Sequence, residues 1–299
     1  MIKLIATDLD GTLFYPKNPW LGTSFQNRAF LRRFVDQGGK VLVASGRSIK
    51  IVPALKKLLH RDITLLGCNG GFIYEKGVFE ERQPLNRDRL LDLFSALSDD
   101  FGIICWFLFD DTETMFVYTT PSMSSLLLYG TLIGNKINGY YRENLLNDNR
   151  IFVDRISSHD TFKLMPVFGL GKKARQRANE TYLAFKARYG DYFNIAASNN
   201  ALEITAKGAD KGAGVERYCL DHKIDKNDVL VIGDSGNDLS MFGRFPHSVS
   251  MAHSAEHIRS QANHVVHRVA DLSKFIEDPS QLAGDTIKET DYEKALSNL

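Results

Sequence analysis

MIKLIATDLDGTLF, residues 1–14, runs from a nearly continuous apolar stretch, Ile2 to Thr7, into Asp8, Leu9, Asp10, Gly11 and Thr12. An apolar run of this kind suits a strand buried on both faces, as in a parallel sheet. It ends on an acid. Asp8 and Asp10 stand two apart across a turn, where Gly11 and Thr12 let the chain bend away, so both carboxylates can face one pocket.

Outward from this strand, Phe30, Leu31, Phe34 and Val35 recur at helical spacing, and Gly38-Gly39 supplies a stop. Val41 to Val43 reads as the next strand. Ser45-Gly46-Arg47 turns into a helix marked by Ile49, Val52, Leu55, Leu58 and Leu59, and Ile63 to Leu66 is a third strand before Asn69-Gly70-Gly71. This alternation predicts parallel pairing with right-handed crossovers, hence a doubly wound, mainly parallel, Rossmann-like α/β sheet. The same texture returns late in the chain. A helix at Gly212 to His222, a strand at Val229 to Ile232, a helix from about Asp238, and strands at Val249 to Met251 and His264 to Val266 follow in order.

From about Gln83 to Ala197 the texture differs. Helical stretches at Asp88 to Leu97 and Lys173 to Arg188 are interleaved with strand candidates at Ile103 to Phe109, Met115 to Tyr118 and Lys163 to Phe168. This reads as an inserted α+β domain, since it would otherwise interrupt one βα series for too long. The expected division is residues 1–83 and 201–299 for the two parts of the core and 84–200 for the insert. The polar tail after Ala283 is expected to be partly helical or frayed.

Bulk properties exclude several function classes. The 299 residues carry a formal charge of +1, which argues against nucleic-acid binding by broad electrostatic attraction. No stretch reaches the roughly 18 to 20 consecutive apolar residues of a membrane span. The N-terminus meets acids where a signal peptide would continue apolar. Cys68, Cys105 and Cys219 are far apart and form no CxxC pair, so they read as reduced thiols of a cytoplasmic protein. Nothing in the sequence specifies the oligomeric state.

Four short segments carry the chemistry: DLDGT with Asp8 and Asp10, VASGR with Ser45, GADKG with Lys211, and GDSGND with Asp234, Asn237 and Asp238. Each sits where a predicted strand ends or a helix begins. The carboxyl ends of strands in an open parallel sheet share one edge, so the four can meet. Clustered carboxylates repel one another unless a cation intervenes, and hard oxygen donors suit Mg2+. Ser45, the amides from Gly46 onward and Lys211 would oppose that acidity and hold a dianionic phosphoryl group. An attacking Asp8 can then split phosphoester hydrolysis into two steps, with Asp10 as the acid and later the base.

With these motifs in this order, nearly the whole chain resembles the haloacid dehalogenase-like phosphatases, specifically the Cof-like branch with a type IIB α/β cap. The resemblance implies that Asp8 is the nucleophile and Asp10 the general acid/base, with the Asp10 backbone carbonyl also on the metal. It implies that Ser45 and Lys211 bind the transferring phosphoryl group, that Asp234 and Asp238 serve the Mg2+ site, and that Asn237 orients neighbours at the phosphate. Asn69 and Gly70, with Arg47 of the SGR segment, resemble elements beside the substrate. Small phosphorylated metabolites, sugar phosphates first, are the implied substrates. The chain departs from the pattern in a longer loop after DLDGT, containing Tyr15, Pro16, Pro19 and Trp20, and in His253-Ser254-Ala255 where Gly-Asn-Ala is usual. The usual Gly-Val ending is also absent.

Simpler readings exist for each residue taken singly. An isolated DxD is most often a surface turn, Ser45 a helix cap, Lys211 an exposed charge, and Asn69-Gly70 a tight turn. The histidines show no metal-ligand spacing, and the Trp106, Phe107, Phe109 run is mainly core. The set outweighs the parts. Competing functions on the same residues are a phosphotransferase or mutase handing the group to a sugar, a receiver-like phospho-Asp signalling protein, and a binding protein without catalysis. A receiver is shorter and takes its phosphoryl Asp from a later strand.

Overall fold

A computed structural model describes residues 1–16, 22–98, 102–112, 115–119, 143–146, 148–198 and 200–282. Pro19 and Trp20 of the loop after DLDGT, and the tail from residue 283, lie outside the described residues. The chain forms two compact units. One comprises Met1–Arg47, Ile51–Arg82 and the chain from Asp210 onward; the other comprises Gln83–Ala209 with Ser48–Lys50.

The first unit is built on β1 (Leu4–Asp8), β2 (Lys40–Ala44), β3 (Thr64–Gly67), β4 (Phe72–Glu75) and β5 (Val78–Arg82). Its crossover helices α1 (Phe25–Asp36) and α2 (Val52–Leu59) lie between these strands in sequence. All of β1 is buried, as its apolar run requires. The side chain of Ser24 starts α1 by accepting the Asn27 amide at 3.1 Å, and Phe30, Leu31 and Phe34 form the buried face.

The second unit contains α3 (Arg87–Ser98), β6 (Cys105–Asp110), β7 (Met115–Thr119), β8 (Glu143–Leu146), α4 (Asn149–Ser158), β9 (Thr161–Val167), α5 (Lys172–Tyr189), β10 (Phe193–Ser198) and β11 (Ala201–Ala206). Its six-stranded sheet has the order β10-β11-β9-β6-β7-β8 and is antiparallel except for β7 beside β8. Leu90, Phe94, Phe152, Phe185 and Tyr189 from the three helices share one core with Trp106, Leu164 and Ile204 of the sheet. Phe94 meets Trp106 edge-on at 4.8 Å, a favourable aromatic geometry, so Trp106 is core, whereas Phe107 and Phe109 are partly buried against Ile104, Cys105, Met115 and Val117. The sheet runs on to Ala206, past residue 200, because Ile204 pairs with Leu164 of β9.

The chain then returns to the first unit with α6 (Lys211–Asp221), β12 (Val229–Gly233), β13 (His247–Met251) and β14 (His264–Val266). The completed sheet has eight strands in the order β14-β13-β12-β1-β2-β3-β4-β5. β14 through β3 are parallel, and β4 and β5 form an antiparallel hairpin at the edge. Leu4, Leu42, Val229 and Val231 are fully buried in it, each worth roughly 1.5–3 kcal/mol by removal from water. From β1 the chain winds one way to β2 and β3, and later the other way from β12 to β14. Strand order therefore reverses between β1 and β12, the place where such sheets open a ligand crevice. Among the described residues, no helix is long and apolar enough to cross a membrane.

Candidate active site

Asp8 is the last residue of β1 and pairs in register with Ala44 of β2, which places Ser45 at the same sheet edge. After Asp8 the backbone turns tightly through Leu9–Leu13, with Gly11 at φ 90°. A Cβ at Gly11 would collide with the carboxylate of Asp234, so this turn needs glycine for space as well as for conformation. Thr12 Oγ1 donates to Asp234 Oδ1 at 2.8 Å, joining the end of β1 to the end of β12. The turn and its neighbour are built as one piece.

Lys211 opens α6, whose cap is Asp210, Oδ1 of which accepts the Ala213 amide at 2.8 Å. The Lys211 ammonium is buried and donates to Asp8 Oδ1 at 2.6 Å and to Asp238 Oδ1 at 2.7 Å. Asp238 Oδ2 accepts the amides of Asp234 and Ser235, both at 2.9 Å. Asp8, Asp234 and Asp238 each offer an oxygen within 4.8 Å of the others. Asp8 Oδ2 is buried with no hydrogen-bond partner among the described residues.

The electrostatics follow from this crowding. Burial pushes the Asp8 carboxyl well above the usual carboxylate range; Lys211 pulls it back only in part, and Asp238 adds to the rise. Burial likewise raises Asp234 against the opposing hydrogen bond from Thr12. Burial disfavours the Lys211 ammonium, yet Asp238 and Asp8 outweigh it and hold its pKa above the ordinary lysine value. Ionised together, the three carboxylates would set three negative charges against one ammonium and leave two uncompensated. Hard carboxylate donors, that charge deficit and the orphaned Asp8 oxygen together fit a divalent cation such as Mg2+.

Asp10 lies outside this trio. Its carboxylate, half exposed, is held by the Arg47 fork, Nε to Oδ2 at 2.7 Å and Nη2 to Oδ1 at 2.5 Å. Ser45 Oγ accepts the Arg47 amide at 3.2 Å. Asn69 donates its amide to the Ser45 carbonyl at 3.0 Å, and its Oδ1 accepts from Asn237 Nδ2 at 3.2 Å. A Cβ at Gly46 would stand 3.1 Å from that same Asn69 oxygen. Gly70, at φ 105°, packs so closely on the Asp210 carbonyl that any side chain would collide. All four motifs, with the Asn69-Gly70 turn, thus meet at one edge of the sheet.

Sequence reasoning did not find several neighbours. Thr12 was quoted within DLDGT, but its part is set by Asp234, which arrives from a distant strand. His253 lies with Nε2 3.9 Å from Asp234 Oδ2 and its ring stacked on Tyr15 at 3.9 Å. Arg244 donates to the Asp210 carboxylate at 3.2 and 3.3 Å, steadying the cap in front of Lys211. No spacing in the sequence announces these contacts, because each joins segments far apart in the chain.

The chain matches the family described as haloacid dehalogenase-like hydrolase over residues 5–274. Phosphatase YwpJ of Bacillus subtilis is 24% identical over 300 aligned positions, covering 92% of this chain and 100% of that protein. The 5-amino-6-(5-phospho-D-ribitylamino)uracil phosphatase YwtE of the same organism is 25% identical over 279 positions, covering 88% of this chain and 92% of YwtE. In fold, the chain is similar to a haloacid dehalogenase-like hydrolase from Bacteroides thetaiotaomicron, with a TM-score of 0.75 at 23% identity, over 92% of this chain and 100% of that one.

Proposed function

This chain belongs to the haloacid dehalogenase-like hydrolases and is a phosphatase, and on that premise we propose that it hydrolyses small phosphomonoesters in two steps through a phosphorylated Asp8. One observation carries the reading. The Asp8 carboxylate is buried where strand order reverses, with one oxygen fixed on Lys211 and the other without a hydrogen-bond partner among the described residues.

In the first step an Asp8 oxygen bonds to phosphorus as the ester P–O bond breaks, and Asp10 gives its proton to the departing oxygen. In the second, Asp10 takes a proton from water, whose oxygen bonds to phosphorus as the Asp8 O–P bond breaks. Phosphate leaves and the carboxylate returns. Lys211 fixes the Asp8 rotamer and offsets negative charge at the phosphoryl oxygens. Ser45, the Gly46 amide and Asn237 complete the phosphate cradle, with Asn69 and Gly70 at its border. Arg47 faces the substrate: a phosphoryl dianion competes for its guanidinium, and Arg47 then releases Asp10 toward the leaving oxygen.

Asp8, Asp234 and Asp238, with the Asp10 backbone carbonyl, are the proposed holders of Mg2+. When bound, the cation offsets carboxylate repulsion and the charge of the transferring group. Sugar phosphates are the favoured substrates; the relative YwtE is named for a phosphoribityl compound. A cytoplasmic setting belongs to the same reading. The test is phosphate release from a panel of phosphomonoesters with Mg2+, after chelation, and after Mg2+ is restored. Loss and recovery support the proposal; full activity after thorough metal depletion overturns the cation site.

A further inference from the structure

Cys68, Asn69 and Gly70 have successive positive φ values of 49°, 56° and 105°. Non-glycine residues keep such backbone only where their surroundings over-determine it. On one side the turn is tied by its own amides, Cys68 to the Arg47 carbonyl at 2.9 Å and Asn69 to the Ser45 carbonyl at 3.0 Å. The Gly70 and Gly71 amides also reach the Gly67 carbonyl, at 3.0 and 2.9 Å, and a long side chain holds the turn from α6. Arg217, on the helix that Lys211 begins, donates Nη2 to the Gly70 carbonyl at 3.0 Å. Its Nε lies 2.5 Å from Glu81 Oε1 of β5, an ion-pair approach without hydrogen-bond geometry, and the two side chains are only 24% and 23% exposed. A guanidinium suits this double duty, since one nitrogen can donate to a carbonyl while the delocalised charge faces a carboxylate.

The turn presents Asn69, whose Oδ1 accepts from Asn237 and lies against Gly46. We propose that Arg217 is a positioning residue of the phosphate site: by gripping the Gly70 carbonyl, with Glu81 as its ion-pair partner, it sets where Asn69 meets Asn237. The inference rests on the reading that Asn69 and Asn237 border the phosphoryl group. An exposed ion pair would do little. Arg217 instead joins α6, β5 and a strained turn.

The test is a double-mutant cycle on the full chain with Mg2+ and p-nitrophenyl phosphate, measuring kcat and KM for wild type, Arg217→Ala, Asn69→Ala and the double variant. Arg217→Ala is expected to lower kcat/KM roughly tenfold to a hundredfold, mostly through KM, as a misplaced contact would. Asn69→Ala should do the same, the double variant should lose no more than the worse single, and Arg217→Lys should recover part of the loss. Multiplying losses, or a wild-type KM in Arg217→Ala, overturn the proposal. If Arg217→Ala does not fold, Glu81→Gln and Arg217→Lys in the Asn69→Ala background provide the same cycle. Asp8→Asn in the same assay separates the two readings. Activity there sinks the site assignment, whereas an inert Asp8→Asn with multiplying Arg217 and Asn69 losses sinks only this inference.

Discussion

Asp8 Oδ1 accepts a hydrogen bond from Lys211 Nζ at 2.6 Å, while the same ammonium serves Asp238 at 2.7 Å. One buried cation is thus shared between two carboxylates, with a third, Asp234, beside them. The arrangement is short of positive charge by construction, and that shortage connects the fold's energetics to its chemistry.

The shortage should appear in the stability of metal-free protein. Burial raises the Asp8 pKa in the folded state, so between the unfolded and folded values the native state holds more protons than the unfolded one. The Asp8 contribution to stability is therefore fully present below the unfolded carboxylate value of about 3.9 and is lost as pH rises through the folded value. Asp8→Asn removes this penalty. The variant is expected to exceed wild type in urea-denaturation stability at neutral pH with a chelator present, with the gap closing on acidification.

Asp10 should matter to proton transfer more than to binding. Asp10→Asn is expected to lower turnover by roughly 10²- to 10⁴-fold on alkyl phosphates, and to slow the first step far less on p-nitrophenyl phosphate, whose leaving group needs no proton. Rapid-quench kinetics on the two substrates checks this.

Gly11→Ala places a methyl group against the Asp234 carboxylate at a backbone angle that side chains avoid. Strain of about 1–3 kcal/mol is expected, together with a higher Mg2+ concentration for half-maximal activity, because Asp234 must move. Thermal melting and a Mg2+ titration of phosphate release measure the two effects.

The core sheet was legible because most of its parallel strands, such as β1 and β12, are short apolar runs that need no partner to be recognised. β14 is observed at His264–Val266, as the sequence predicted. In the insert, β10 and β11 went unseen. Phe193–Ser198 holds Asn, two Ala and Ser, with too little contrast to show a period of two. α4 was missed as well, although Asp148 caps it through the Arg150 amide at 2.9 Å. At the site, the residue types of the four motifs announced themselves, since clustered acids opposite a lysine have few structural uses. The partnerships did not. That Asp10 pairs with Arg47, that Thr12 holds Asp234, and that Arg217 grips Gly70 are facts of three-dimensional register between distant segments.

The chemistry proposed for Asp8 is covalent. Asp10→Asn protein mixed with a fast phosphomonoester and Mg2+, quenched in acid and digested, should yield a phosphoryl adduct on the peptide bearing Asp8, formed within the first turnover and absent from Asp8→Asn. Phosphate release with no adduct on that peptide at any quench time, or an adduct on another residue, would rule out Asp8 as the nucleophile.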